Sequence, residues 1–118
     1  MRTLEVTAET AKGLTAFRAD LPIEKLKGKK LLISTRVKGE NISEKPKSFN
    51  GIKLMVVLVN GEGQKDYPQA PLPTGTFDWQ DVKWSVSIPE NATRAQLLLG
   101  LEEVSGKVWF DPIKIVEQ

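Results

Sequence analysis

Glu102 and Glu103 are the one pair of adjacent carboxylates in the chain, and two carboxylates are the machinery of glycoside hydrolysis. Successive residues of a strand point to opposite faces, so these two cannot flank one scissile bond. The 118 residues include no histidine, which removes the usual general base near neutral pH, the Ser-His and Cys-His nucleophile pairs and the commonest zinc ligand. They include no cysteine, which removes thiolate metal sites, redox chemistry and a disulfide framework. The densest basic run, Lys25, Lys27, Lys29 and Lys30 around Gly28, reads as a solvated turn rather than a phosphate site. Seventeen basic and 15 acidic residues are scattered along the whole length for a formal charge of +2, so nucleic acid is not the expected partner. The residues left are aromatic: Tyr67, Trp79, Trp84, Trp109, Phe17, Phe49, Phe77 and Phe110. The chain reads as a non-catalytic domain.

Those side chains need a scaffold, and the apolar pattern names one. Hydrophobic residues make up 40% of the chain and charged residues 27%, enough to build one core in one domain spanning residues 1–118. No apolar run approaches a membrane span, and Met1-Arg2-Thr3-Leu4 lacks a signal peptide's apolar stretch. Apolar residues recur with a period near two, β-branched residues are common, and Gly, Pro or Asn clusters separate the segments. Strands are predicted at Thr15–Leu21, Leu31–Lys38, Ile52–Asn60, Gln80–Ile88, Ala95–Leu101 and Lys107–Val116, with weaker ones around Leu4–Thr7 and Gln64–Pro68. About eight short antiparallel strands suit an all-β, two-sheet sandwich.

The alternation assigns faces. Leu31, Ile33, Thr35 and Val37 share one face, as do Val82, Trp84, Val86 and Ile88, and these faces should enter the core. Ile52–Val59 is apolar on both faces, interrupted only by Lys53, as expected of a strand covered on both sides. Asn60-Gly61-Glu62-Gly63 should close a hairpin, and Leu21–Leu26 before Gly28 could form a single helical turn but reads as a loop element. The polar segment Gly39–Gly51 is long for a hairpin, and long loops on rigid sandwiches often carry function.

Three segments from Leu26 onward resemble the jelly-roll carbohydrate-binding modules of the group that includes families four, nine, sixteen and twenty-two. Gly28–Lys38 is similar to that group's glycine-led strand closing on valine and lysine. Gly75-Thr76-Phe77-Asp78-Trp79, running on to Val86-Ser87-Ile88-Pro89, resembles its "gt-x-dW … vP" element. Gly106-Lys107-Val108-Trp109-Phe110-Asp111-Pro112-Ile113 is similar to its closing "G-x-wfDdi" strand. The resemblance covers about three quarters of the chain and implies a jelly-roll sandwich that binds a β-linked plant-type polysaccharide such as a glucan, mannan or xylan. It further implies an accessory module of a larger secreted, extracellular glycoside hydrolase, covalently linked to a catalytic domain. The alternative is a structural sandwich that packs against such a neighbour without binding sugar.

Sugar recognition needs an aromatic platform for the apolar face of a pyranose and polar side chains for its hydroxyls. Trp84, in line with Val82 and Val86, belongs to the core, and Trp79 is expected as a plug at a strand entry. Only one of Trp109 and Phe110 can face the core, so Trp109 is a platform candidate on the face of Asp111. Tyr67 is expected to be partly exposed at the edge of a groove. Arg36 and Gln96 are the polar contact candidates. No cofactor is required. The relatives' calcium site would fall at Asp111, although Pro112 stands where a second acidic residue is common and calcium takes six to eight oxygens.

Overall fold

The computed structural model describes residues 3–118; residues 1 and 2 of the expected domain lie outside it. Nine strands follow in order: β1 Leu4–Ala8, β2 Leu14–Asp20, β3 Lys30–Ile42, β4 Gly51–Asn60, β5 Lys65–Asp66, β6 Gly75–Ser87, β7 Ala92–Glu102, β8 Gly106–Phe110 and β9 Lys114–Glu117. A four-residue helix, α1 Ile23–Leu26, stands between Pro22 and Gly28, where the sequence reads as a loop element. Among the described residues no helix is long and apolar enough to cross a membrane. All strand pairings are antiparallel, in two sheets ordered β1-β8-β3-β6 and β2-β7-β4-β5, with β9 also against β3. From β1 to β4 the chain alternates between sheets, as it does from β6 to β8, giving the two-sheet jelly roll the pattern predicts.

The inner faces of both sheets form one core. Leu31, Ile33, Val37, Val108 and Phe110 from one sheet meet Leu54, Val56, Leu99 and Leu101 from the other, each 4% exposed or less. Trp84 packs partly buried against this core, opposite Ile33 across the β3–β6 ladder. Thr35 is the polar member of the inward row, and its hydroxyl donates to the Asp111 carbonyl at 2.8 Å, so no buried donor is stranded.

The boundaries of β3, β6 and the last expected strand depart most from the sequence pattern. β3 continues four residues past Lys38 to Ile42 and meets an earlier start of β6 at Gly75, with irregular register on either side of Gly39. Phe77 lies over Gly39, where a side chain would collide with the ring. The long polar connection thereby shortens to residues 43–50. The predicted strand Lys107–Val116 is divided at Asp111-Pro112-Ile113, because Pro112 cannot donate to the ladder. Pairing along β3 resumes one residue out of step: Phe110 faces Val37, and Lys114 faces Ser34 rather than Ile33. The division raises the count to nine.

The β4–β5 hairpin turns where Asn60 predicts. Its Oδ1 accepts from the backbone N–H groups of Glu62 and Gln64, and Gly63 takes φ +80°. β5 is only two residues long, yet the chain stays beside β4, where Val56 N–H donates to the Pro68 carbonyl and Ala70 N–H to the Leu54 carbonyl.

Candidate functional site

The outer face of β2-β7-β4-β5 carries a groove of about 380 Å³, within the usual range of small-ligand sites, about 300–1,000 Å³. Period two builds it. With Ile52, Leu54, Val56 and Leu58 committed to the core, β4 turns Lys53, Met55, Val57 and Val59 outward. With Ala95, Leu97, Leu99 and Leu101 committed, β7 turns out Arg94, Gln96, Leu98 and Glu102. Register then sets the rows: Arg18, Leu98 and Met55 lie abreast, Gln96 sits beside Val57, and Val59 lies between Arg94 and Lys65. Met55, Leu98, Val57 and Val59 make an apolar floor, and Tyr67, 52% exposed, lines the groove beyond β5. Gly100 lets the β2 edge come close, since a Cβ there would run into the Thr15 carbonyl and within 2.6 Å of the Ala16 Cα.

A polar cluster closes one end. The Lys53 side chain is 2% exposed, and its ammonium donates to the Gln69 Oε1 at 2.9 Å and to the Phe49 carbonyl, with Glu102 Oε1 at 3.1 Å. Two of its donors are thereby hydrogen-bonded and its charge is paired. Asn50 Nδ2 donates to the same Glu102 oxygen at 2.9 Å. Phe49, 54% exposed, stands beside this cluster with the ammonium groups of Lys47 and Lys53 each within 6 Å of its ring centre. The charge that interrupts β4 is therefore the anchor that ties the 43–50 loop and the segment after β5 to the sheet.

The four sequence-derived contact residues do not meet. Tyr67 and Gln96 line the groove, where the Gln96 side-chain amide also donates to Asp20 at 3.2 Å. Arg36 and Trp109 lie on the outer face of the opposite sheet, because β3 and β8 belong to it. Val108 and Phe110 are fully buried, so Trp109 does face outward as the alternation required, but between the ammonium groups of Lys38 and Lys107, across the sandwich from the groove. Arg36 sits over the half-buried Trp79 ring and donates through Nε to Asp111 Oδ2 at 2.6 Å. The sequence reading did not single out Lys53, Glu102, Arg18, Lys65 or Arg94 as groove residues. Lys53 alone left a signal, as the one charge in a doubly apolar strand.

The residues around Asp111 do not fit calcium. One carboxylate oxygen faces a guanidinium, the backbone carbonyl is engaged by Thr35, and among the described residues no group of three or more acidic side chains gathers there or elsewhere.

No protein-family model and no curated protein matches the sequence. Solved structures do. The CBM22-1 xylan-binding domain of Paenibacillus barcinonensis Xyn10C aligns over 98% of this chain and 71% of its own, with TM-score 0.71 and 18% identity. The CBM22-1–GH10 modules of a Clostridium thermocellum endo-1,4-β-D-xylanase, solved with xylohexaose, align over the same share with TM-score 0.65 and 14% identity. The enzymatically active domain of tailspike protein 4 from bacteriophage CBA120 aligns with TM-score 0.71 and 12% identity. The chain spans 24% of the xylanase chain and 15% of the tailspike chain. At these identities the likeness is one of fold: a β-sandwich that the xylan-binding modules also have.

Proposed function

We propose that the chain binds a β-linked polysaccharide, such as a glucan, mannan or xylan, without catalysis, in the groove on β2-β7-β4-β5. The observation that carries this reading is the groove itself: an open trough with an apolar floor, an exposed tyrosine and polar side chains along its sides. Such a surface offers a ring for stacking and donors for hydroxyls. The solved xylan-binding domain of the same fold supports it. A place beside a catalytic domain in a larger secreted protein belongs to the same proposal, supported by the Clostridium thermocellum xylanase, whose chain holds both kinds of module.

Affinity electrophoresis against a panel of soluble β-glycans tests it. Stacking on Tyr67 would bury on the order of 100 Å², worth roughly 2.5 kcal/mol at about 25 cal/mol per Å² before ordering costs. Tyr67→Ala should therefore weaken binding by about tenfold or more while leaving the melting temperature in place. Absence of retardation on every polymer would sink the proposal and leave the purely structural module as the better reading.

A further inference from the structure

The groove is not electrically neutral. Arg18, Lys53, Lys65 and Arg94 line it against the single carboxylate of Glu102, which Lys53 already neutralises. Among the described residues Arg18 and Lys65 take part in no ion pair, and Arg94 makes only an exposed contact with Asp20 at 3.5 Å, the kind that contributes little. A chain of net charge +2 thus places three available cations around one concavity. Arg18 and Lys65 stand on the two edge strands, about 14 Å apart across the sheet and about 13 Å apart along it, so they would meet a ligand from opposite sides at diagonal ends of the groove.

Concave walls focus such a field onto whatever enters. A neutral sugar would strip water from these cations and return only hydroxyl contacts, whereas a carboxylate offers charge-assisted bonds that a guanidinium can make in pairs. We infer that the groove selects a glycan bearing carboxylates, a uronate-containing chain. This rests on the groove being the sugar site.

The test is calorimetric titration with glucuronate-bearing xylan and with polymannuronate, each beside its carboxyl-reduced form, and with dextran sulfate. One acidic polymer should bind at least tenfold more tightly than its reduced form and than dextran sulfate. Arg18→Gln and Lys65→Gln should each weaken that binding about three- to fivefold, clearly more than they weaken any binding to the reduced polymer, and leave thermal melts unchanged. Equal affinity for acidic and reduced polymers, lost in Tyr67→Ala, would overturn the charge selection while leaving neutral-glycan binding standing. An acidic preference indifferent to both substitutions, or matched by dextran sulfate, would overturn it as well. No binding to either form of either polymer would retire the inference, and a blank panel of neutral β-glycans beside it would retire the sugar-binding reading too.

Discussion

Lys53 should be worth more to this fold than an ion pair usually is, and by an amount that the two partners' exposures rank in advance. Its side chain is 2% exposed and Glu102 is 28% exposed. Removing one member of a buried pair costs roughly 3–5 kcal/mol, most of it the desolvation of the charge left behind. Lys53→Met keeps the aliphatic stem and leaves Glu102 as the one unpaired charge, beside the neutral Gln69 and Phe49 oxygens that lose a donor; Glu102 retains its bond from Asn50 and can recover water, so the cost should fall to about 2 kcal/mol. Glu102→Gln instead strands the ammonium, which has almost no access to water and keeps two neutral oxygen partners, so about 3 kcal/mol is expected. Urea unfolding of both single variants and of Lys53→Met/Glu102→Gln reads the order and the coupling. The double variant should lose clearly less than the two losses added together, because no unpaired charge remains. Strict additivity, or a smaller loss for Glu102→Gln than for Lys53→Met, would refute the claim that this pair is buried and mutually neutralised.

Gly100→Ala should cost about 2 kcal/mol or more, because the added carbon meets backbone of β2 that cannot rotate away; amide exchange should accelerate along β2, and unchanged exchange there would contradict the close approach. Trp84→Ala should destabilise by about 3 kcal/mol in thermal or urea melts, with or without sugar, since the ring packs inward beside Val82 and Val86. Trp109→Ala and Arg36→Ala should leave glycan affinity unchanged in calorimetric titration, as both side chains lie on the sheet opposite the groove. Added calcium, or a chelator, should leave the melting temperature where it is, because a ligand that binds only the native state would raise it and Asp111 faces a guanidinium.

What was legible in the sequence was local. Period-two alternation over Leu31–Val37 and Val82–Ile88 names both the strands and their inward faces, since a one-residue slip would expose every apolar side chain in them. The Asn60 turn was equally readable, because its chemistry is contained within a few residues. The extension of β3 to Ile42 was not, because Gly39, Glu40 and Asn41 carry no strand pattern, and the segment becomes strand by pairing Gly39 with Phe77 and Ile42 with Gly75 in β6, and Gly39 and Glu40 with Val108 and Lys107 in β8. Tertiary pairing outweighed local preference there.

The site was half legible for a related reason. Alternation says that Trp109 and Phe110 face opposite ways, and they do, but it cannot say onto which sheet's exterior a residue emerges. That depends on which strands share a sheet, and β8 joins β1 and β3 while β7 and β4 form the groove. Glu102 shows the same gap from the other side. It diverges from Glu103: Glu102 reaches into the groove toward Lys53, while Glu103, past the end of β7 at φ +55°, accepts from the Gly13 N–H. Excluding the pair nonetheless concealed the single carboxylate that matters. Lys53, the only charge in a strand apolar on both faces, needed a counter-ion, because an isolated ammonium is too costly to bury. The acidic residue at the end of the neighbouring strand supplies it, and that pairing closes one end of the groove.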